Sequence, residues 1–333
     1  MGVLSPVTCV KLQNEERVQR YILHRILVLL PVLILISLFC FSMLHMIPGD
    51  PIDVMFDEDD FDDAETRVFY EKLLGLDRPF HEQYIMWLGK VLQGDFGNSI
   101  HFDRPNAEII WERFPATILL AFGAIIVSIV IAIPAGVIAA IKRNTAADHG
   151  AMTFALLGIS IPNFWLGILL IMAFSIYFPI LPSSGFEASI ADPVETIKYL
   201  ILPSITLGTA LSAILARMTR SEMLEEIGKE YVRTARAKGV PERTVIFKHT
   251  LKNAMVPILT LLGLQIANLL GGTVIVETVF QWPGVGSLVV DAIYGRDYPL
   301  VQALILIFAV IFVTVNFFVD ILYKWANPRI TLE

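Results

Sequence analysis

The sequence predicts an all-α membrane protein with six transmembrane helices and with both termini in the cytoplasm. Of its 333 residues, 55% are hydrophobic and 17% are charged, which is too apolar a composition for a soluble protein of this size. The apolar residues are gathered in six blocks, each long enough to cross a hydrocarbon core of ~30 Å as a helix. The predicted spans cover residues 26–47, 116–141, 152–180, 200–216, 254–276 and 299–322.

The first span follows a basic segment that contains Lys11, Arg17, Arg20 and Arg25. Its apolar run is too long for a cleaved signal peptide, and no small-x-small cleavage site ends it. The segment therefore predicts an uncleaved signal anchor. The two cysteines of the chain indicate no disulfide framework.

The charges that flank the spans predict the orientation in the membrane. With the N-terminus inside, the inner segments hold 17 Lys and Arg residues and the outer segments hold 8. Carboxylates divide the other way, with 10 inside and 22 outside. Loops rich in Lys and Arg stay on the cytoplasmic side. The short loop at Lys142 and Arg143 and the longer loop 217–253 are therefore predicted to lie inside.

These spans divide the chain into a cytoplasmic N-terminal segment (1–25), the first helix (26–47), an outer lobe (48–115), a five-helix core (116–322) and a cytoplasmic tail (323–333). The lobe carries sixteen Asp and Glu residues against six Lys and Arg. Its pattern predicts short helices near 65–74 and 80–92. The acidity suits a solvated surface, or else attraction of cationic substrates or of a partner protein. Screening beyond ~8–10 Å favours solvation.

The inner loop 217–253 is the most informative segment of the chain. It holds nine Lys and Arg residues against five Glu. Thr219 and Glu222 have capping-box spacing, which predicts a helix start, and apolar residues continue at helical spacing to position 235. Gly239 suits the left-handed residue that ends a helix, and Pro241 suits the first position of the next. The pattern predicts two helices joined by a sharp turn, with the second running into the fifth span.

Two functions remain open for this helix pair. It can be a docking surface that a cytoplasmic partner grips and moves. It can also lie on the membrane surface and only connect two spans. Composition by itself leaves these two interpretations level.

A motif in this loop resembles the "EAA" loop of binding-protein-dependent ABC importer permeases. That pattern is a Glu followed by small residues, then a Gly, and then a Pro at the membrane entry. Its positions are filled here by Glu230, Ala235, Ala237, Gly239 and Pro257. The second and third positions are Tyr231 and Val232 instead of alanines, a variant that is similar to the dipeptide/oligopeptide branch of the family.

Further stretches resemble the same branch. They are Gly94-Asp-Phe-Gly-Asn-Ser99, Ile159-Ser-Ile-Pro-Asn-Phe-Trp-Leu-Gly167, Leu181-Pro-Ser-Ser-Gly185, Ile201-Leu-Pro-Ser-Ile-Thr-Leu-Gly208, Gly271-Gly-Thr-Val-Ile-Val-Glu-Thr-Val-Phe-Gln-Trp-Pro-Gly-Val-Gly286 and Arg296-Asp-Tyr-Pro299. Each piece is weak alone, and the ordered set is specific. The resemblance runs from about Tyr21 to the end of the chain, and it leaves out residues 1–20 and the acidic run 56–63.

The resemblance implies a type I ABC importer permease fold in the bacterial inner membrane, with the lobe 48–115 in the periplasm. It implies a second homologous permease subunit, two cytoplasmic ATPase subunits that bind ATP and Mg, and a periplasmic substrate-binding protein. The implied cargo is di- or oligopeptides, and related branches carry nickel chelates or glutathione. Neither a cofactor within this chain nor a nucleic acid is implied.

The resemblance also implies which residues couple the chain to an ATPase. Glu230 offers a carboxylate to a partner arginine. Ala235 and Ala237 allow close backbone approach, and Gly239 permits the chain to reverse. The predicted coupling set is Glu230, Tyr231, Arg233, Ala235, Ala237, Gly239 and Val240. Without the resemblance, the favoured role of Glu230 is an i,i+3 pair with Arg233, worth only ~0.2–0.5 kcal/mol.

Polar residues inside the predicted spans are candidates for the translocation pathway. They are Gln265 and Asn268 in the fifth span, Ser160 and Asn163 in the third, and Asn316 in the sixth. Because polar groups avoid lipid, each faces either the pathway or another helix, and interhelical hydrogen bonding is the commoner outcome. Gly263, Ala267 and Gly271 share another side of the fifth span and predict a tight helix–helix seam.

The sequence carries no catalytic constellation. It has no Gly-x-x-x-x-Gly-Lys-Ser/Thr run, so ATP must be bound elsewhere, and its six His residues lack metal-ligand spacing. An ATP-independent channel or secondary carrier is the rival from another class. That rival predicts internal repeats and ionisable residues in the middle of the membrane, and neither is evident. A non-transporting scaffold or receptor is the third hypothesis.

Overall fold

The computed structural model describes residues 27–43, 78–186 and 193–326. Every regular element in these ranges is helical, as predicted. The principal helices are α1 (Leu27–Met43), α2 (Phe80–Leu92), α3 (Asn106–Ile141), α4 (Ala146–Ser160), α5 (Asn163–Ile171), α6 (Pro193–Ile227), α7 (Glu230–Ala237), α8 (Lys252–Val279), α9 (Val285–Tyr294) and α10 (Tyr298–Ala326). A π-helical segment, Met172–Tyr177, follows α5.

Four helices in the described ranges are long and apolar enough to cross a membrane. They are Asn106–Ile141, Pro193–Ile227, Glu242–Ile266 and Tyr298–Val319. A fifth span results if Ala146–Ser160 and Asn163–Tyr177 are taken together, although the pair is bent by 100°. The third span predicted for 152–180 is therefore broken by a bend instead of being one continuous helix. Pro162 supplies the reason, because proline has no N–H and disfavours helical backbone at the residue before it.

Two of the predicted spans are parts of longer helices. The predicted span 116–141 lies within α3, which begins at Asn106. The predicted span 200–216 lies within α6, which has 35 residues. Both helices are longer than their apolar segments. Hydropathy identifies only the part of a helix that crosses the lipid, whereas the backbone hydrogen bonds continue into its polar ends.

The helices form two compact units, of which the first contains Met1–Ala107 and Arg296–Ile321. Within it, α2 has the bounds predicted for the second lobe helix and packs an aromatic face on α1. The Phe41 ring meets Phe80 and Tyr84 edge-on, with centroids 5.2 and 5.6 Å apart. The Tyr84 hydroxyl lies 2.8 Å from the Ser37 hydroxyl. The predicted helix 65–74 and the acidic run 56–63 lie outside the described residues.

A buried aspartate organises the other end of this unit. Asp297 accepts hydrogen bonds from the Ser99 hydroxyl and from the His101 N–H, the latter at 3.2 Å. Its second oxygen accepts the Leu300 N–H at 3.2 Å. Asp297 therefore caps the N-terminus of α10 and holds the loop that follows α2, as a carboxylate at a helix N-terminus is suited to do.

The second unit contains Glu108–Gly295 and Leu322–Glu333, and its core is formed by helices that approach at small residues. A Cβ built on Gly208 of α6 would lie 2.7 Å from the Ala124 carbonyl oxygen of α3. A Cβ on Gly136 of α3 would lie 2.8 Å from the Ala216 carbonyl oxygen of α6. The two helices therefore pack backbone to backbone, as small residues permit in membrane proteins.

The seam predicted on the fifth span is not formed at Gly271 with any described part of the chain. No atom of the described chain lies within 4 Å of a Cβ built there, whereas one built on the next residue, Gly272, would lie 3.5 Å from Leu207 of α6. The close contact therefore falls on the side of α8 where the pathway was predicted. Helical geometry places residues on faces, but only the neighbouring helix decides which face is covered.

An ion pair joins α4 to the C-terminal half of α6. The Arg220 guanidinium donates two hydrogen bonds of 2.7 Å to the Asp148 carboxylate, and the Asn144 N–H donates a third at 2.9 Å. The carboxylate is buried and also faces the first turn of α4. This bidentate arrangement fixes the loop 142–145 between the two helices.

Candidate functional site

The candidate site is α7 together with the segments that hold it. Helix α6 ends at Ile227, and α7 begins at Glu230 after a two-residue break. Gly239 then adopts φ +76°. After Pro241, a helical turn and a π-helix, Val245–Leu251, lead directly into α8. The predicted sharp turn and the predicted continuation into the fifth span are both confirmed.

The helix start predicted by the capping box is wrong. Thr219 and Glu222 lie inside α6. The Thr219 hydroxyl donates a hydrogen bond of 2.8 Å to the Leu215 carbonyl oxygen one turn earlier. A threonine can satisfy its hydroxyl in this way within a helix, so its spacing to a glutamate does not by itself identify a cap. The apolar stripe predicted up to position 235 is accordingly divided between α6 and α7.

Helix α7 has one buried side and one exposed side. Val232 is fully buried, whereas the side chains of Glu230 and Arg233 are 84% and 73% exposed and pair at 3.0 Å. An exposed pair of this kind contributes little to stability, so it leaves the carboxylate available to another protein. Ala237 is exposed and Ala235 is half-buried, so small side chains border the same surface.

The turn after α7 is held by an ion pair and by backbone conformation. Arg236 donates to both oxygens of Glu242, at 2.7 and 3.1 Å, and this bond raises the pKa of Arg236. Gly239 needs no side-chain space, because no described atom lies within 4 Å of a Cβ built on it. What requires glycine is the positive φ. Val240, the last predicted coupling residue, is half-buried beside it.

Tyr231 is 38% exposed, but its hydroxyl is bonded to the neighbouring helices, unlike the carboxylate of the glutamate before it. Its hydroxyl donates to the Glu226 carboxylate of α6, and the Asn253 amide of α8 donates to it at 3.0 Å. Lys229 pairs with the same carboxylate at 2.5 Å, which raises the pKa of Lys229. Burial and the bond to Glu226 raise the pKa of the tyrosine, so the phenol remains a donor at neutral pH.

The sequence analysis missed the partners in this network, Glu226 and Asn253. The one signal was the bulky polar Tyr231 at a position where the motif has a small residue. A tyrosine on a helix needs a hydrogen-bond partner for its hydroxyl and space for its ring. Both are supplied here by segments that are separate in the sequence.

Gln265, a predicted pathway residue, is buried between helices. Its side-chain amide donates a hydrogen bond of 3.3 Å to the Leu211 carbonyl oxygen of α6. With Ser128 of α3, it lines a narrow crevice between the helices, where the Gln265 carbonyl oxygen and the Ser128 hydroxyl have no hydrogen-bond partner in the described part of the chain. The interhelical role, which residue reasoning favoured, is the one this structure shows.

Three of the other predicted pathway residues, Ser160, Asn163 and Asn316, have described side chains. The Ser160 hydroxyl bonds the Leu156 carbonyl at 2.9 Å, and Asn163 begins α5, so both flank the bend of the third span. Asn316 belongs to the first unit and bonds the Phe312 carbonyl at 2.8 Å. The Asn268 side chain lies outside the described residues. Their place in a pathway stays a prediction.

A second polar centre, also missed, lies at the far end of α8. Glu277 is fully buried and accepts the Thr117 hydroxyl of α3 at 2.8 Å and the Ser287 N–H of α9 at 2.9 Å. The indole of Trp282 donates to the Ala116 carbonyl at 2.9 Å. A Cβ on Gly284 would overlap the Glu277 carboxylate. The long glycine-rich motif of the sequence therefore ties α3, α8 and α9 together.

Two family models match the chain. The model described as "Binding-protein-dependent transport system inner membrane component" matches residues 132–332, and one described as "Binding-prot-dependent transport system membrane comp, N-term" matches residues 18–121. The chain belongs to this family. It is therefore a multi-pass inner-membrane protein of a binding-protein-dependent transport system, and α7 lies within the matched region.

Several permeases resemble this family member along most of its length. The di/tripeptide transport system permease protein DppB of Pseudomonas aeruginosa (strain UCBPP-PA14) is 42% identical over 336 residues, which cover 93% of this chain and 98% of the relative. The glutathione transport system permease protein GsiC of Escherichia coli (strain K12) is 42% identical over 310 residues, with the same coverage. The dipeptide transport system permease protein DppB of Alkalihalophilus pseudofirmus is 41% identical over 331 residues.

A solved structure shares the fold. A chain of the MetNI methionine ABC transporter, in inward-facing conformations, aligns with a TM-score of 0.55 at 17% identity and covers 66% of this permease and 96% of that chain. The predicted membership of the ABC importer permeases and the predicted membrane location are confirmed. The channel or carrier and the scaffold are not the classes that these relatives represent.

Proposed function

We propose that this permease subunit forms part of the pathway of an ATP-driven importer for di- and oligopeptides, and that α7 is the helix on which an ATPase subunit acts. The observation that carries the proposal is the exposed polar surface of α7, which the chain anchors at both ends. The buried Val232 and the Tyr231 hydroxyl hold the helix on one side, and the exposed Glu230 carboxylate, paired only with the exposed Arg233, is presented on the other.

The proposed assembly follows the family. It contains six spans in this chain with both termini in the cytoplasm, a second homologous permease, two ATPase subunits and a periplasmic substrate-binding protein. ATP and Mg are bound by the ATPase subunits. The excess of Lys and Arg in the loop that contains α7 supports a cytoplasmic position, where such a motor can reach it.

The proposed substrates are short peptides. Relatives at 41–42% identity are named for di- and tripeptides, for dipeptides and for glutathione, and glutathione is itself a tripeptide. The feature common to these molecules is a short backbone with charged ends. Uptake by proteoliposomes that contain the complete complex tests this, with a dipeptide, a tripeptide, glutathione and a nickel chelate as the panel. Uptake of the nickel chelate alone would overturn the peptide assignment.

The proposed coupling can be derived from the geometry of α7. The Glu230 carboxylate accepts a charge-assisted bond from a partner arginine, and Ala235 and Ala237 let the partner backbone come close. The turn at Gly239, braced by the pair of Arg236 and Glu242, prevents the helix from folding back when it is pushed. Closure of the ATPase pair then displaces α7 as a rigid piece and moves α8, which continues from the same turn.

We expect Glu230→Lys and Gly239→Pro to abolish substrate-stimulated ATP hydrolysis by the assembled complex while insertion into the membrane continues. The first change reverses the docking charge. The second cannot adopt φ +76°, because proline holds φ near −65°. Glu195→Lys is the matched control, since Glu195 makes the same i,i+3 pair, with Lys198 at 2.7 Å, in another part of the chain. Normal stimulation in both α7 variants would refute the proposed coupling.

A further inference from the structure

The junction between α6, α7 and α8 carries an inference that rests on the proposed function and deepens it. Its hydrogen bonds converge on one phenol. Glu226 lies in the last turn of α6 and is buried. Asn253 is the second residue of α8, and its amide also donates 2.9 Å to the His249 carbonyl of the preceding π-helix. Tyr231 lies between the two, on the first turn of α7.

The phenol has one hydrogen, and the geometry assigns it to Glu226. The contact with that carboxylate is much shorter than the 3.3 Å contact with the His249 carbonyl, and a charged acceptor binds a donor more strongly than a neutral one. The oxygen then accepts from Asn253. One hydroxyl thus joins the last turn of α6 to the first turn of α8 through α7.

We propose that Tyr231 is a positioning residue that transmits displacement of α7 to α6 and α8 together, and that it acts through this hydroxyl instead of by touching the ATPase. Hydrogen bonds to charged groups are stronger than neutral ones, and a network with all members satisfied resists distortion. Val232 alone could slide along its apolar neighbours, whereas the tyrosine fixes where α7 lies relative to both transmembrane helices.

Lys229 provides a second connection between α6 and α7. It pairs with Glu226 at 2.5 Å and reaches Glu225 at 3.4 Å, so the break between α6 and α7 is bridged by charge on one side and by the phenol on the other. Two connections across a two-residue break allow the two helices to move together but oppose a hinge between them. Loss of the phenol oxygen leaves only the lysine connection between α6 and α7, and it removes the hydrogen bond by which Asn253 of α8 holds α7.

The test is Tyr231→Phe in the complete complex, reconstituted in proteoliposomes with its binding protein and substrate. The ring and its packing remain, and only the hydroxyl is lost. We expect ATP hydrolysis and co-purification of the ATPase to persist, while the substrate moved per ATP hydrolysed falls about fivefold, the factor that corresponds to one hydrogen bond of ordinary strength. A purely structural role would lower the melting temperature and leave that ratio unchanged.

Two further variants keep the inference open to refutation. Asn253→Ala removes the donor from α8 and should lower the same ratio, and the double variant should be no worse than the single ones, because both interrupt one path. Tyr177→Phe removes a hydroxyl from an exposed tyrosine elsewhere and should leave the ratio at the wild-type value.

The failure of this inference can be told apart from failure of the proposed function. If Tyr231→Phe keeps the wild-type ratio while Glu230→Lys abolishes stimulation, α7 still couples the complex and the phenol has no transmitting role. If neither Glu230→Lys nor Gly239→Pro affects the stimulation of ATP hydrolysis by substrate, the coupling assignment itself fails. Additive losses in the double variant would show two separate effects and would overturn the single path.

Discussion

Glu277 shows how much one buried side chain organises in this permease. Besides Thr117 and Ser287, the Gly286 N–H and the Thr273 hydroxyl also bond its carboxylate. Donors from α3, from α8 itself and from the start of α9 therefore meet at one residue. Glycine at 284 is required by space, since any larger side chain would occupy the place of the carboxylate. Burying such a group is tolerated because all its acceptor sites are used.

Glu277→Ala should destabilise the protein strongly. The substitution leaves several buried donors without an acceptor, at a cost on the order of 3 kcal/mol, and it also opens a cavity. The measurement is the midpoint of thermal unfolding of the purified subunit in detergent. Thr117→Ser is the control, because it retains the hydroxyl that donates to Glu277. A wild-type midpoint for Glu277→Ala would show that the donors find other partners.

At the scale of elements, the contact between α3 and α6 depends on glycines that let the two helices approach closely. Gly123 and Gly136 on one helix face Ser204 and Thr219 on the other, and Gly208 faces the backbone of α3 near Ala124. Helix association in lipid relies on close packing instead of on exclusion of water, so a methyl group at these points separates the helices along their length.

Gly208→Ala should therefore destabilise the second unit by about 1–3 kcal/mol, the usual cost of overpacking. The matched control is Gly271→Ala in α8, where the added methyl meets no described atom and alanine favours the helix by up to about 1 kcal/mol. Unfolding of the isolated subunit, followed by size-exclusion chromatography after heating, compares the two. Equal midpoints would mean that the seam relaxes without cost.

The whole molecule has an asymmetric charge distribution, from which its orientation in the membrane is predicted. The loop with α7 holds nine Lys and Arg residues, and the chain outside the inner segments is rich in carboxylates. Only one orientation places the exposed surface of α7 where cytoplasmic ATPase subunits can bind it. The proposed coupling through α7 therefore requires the predicted orientation, with the loop 217–253 in the cytoplasm.

Cysteine labelling checks the orientation. In a background of Cys9→Ser and Cys40→Ala, we expect Lys238→Cys to react with a membrane-impermeant maleimide only in inside-out vesicles. Tyr294→Cys, at a highly exposed position of α9, should react only from the opposite side in right-side-out vesicles. Reaction of both positions from the same side would contradict the proposed six-span arrangement.

Sequence patterns predicted local features well when the cause was local. Gly239 and Pro241 predicted the turn because positive φ and the missing proline N–H act on the backbone directly. The helix at 80–92 followed from its own composition. The capping box at Thr219 failed because its hydroxyl had a second acceptor within the same helix. The contact with α6 falls at Gly272 and not at Gly271, because the position of α6 is not encoded in α8 alone.

The sequence by itself determined the membrane class, the family and the turn that follows α7, since hydropathy, motif order and backbone preference are properties of the chain read in one direction. Only the tertiary structure decided that Tyr231 faces Glu226 and Asn253, that Gln265 is buried against α6, and that Glu277 joins three helices. The physical reason is that a hydrogen bond or a packed seam belongs to two segments at once, and their meeting depends on how the whole bundle excludes lipid and satisfies its buried polar groups.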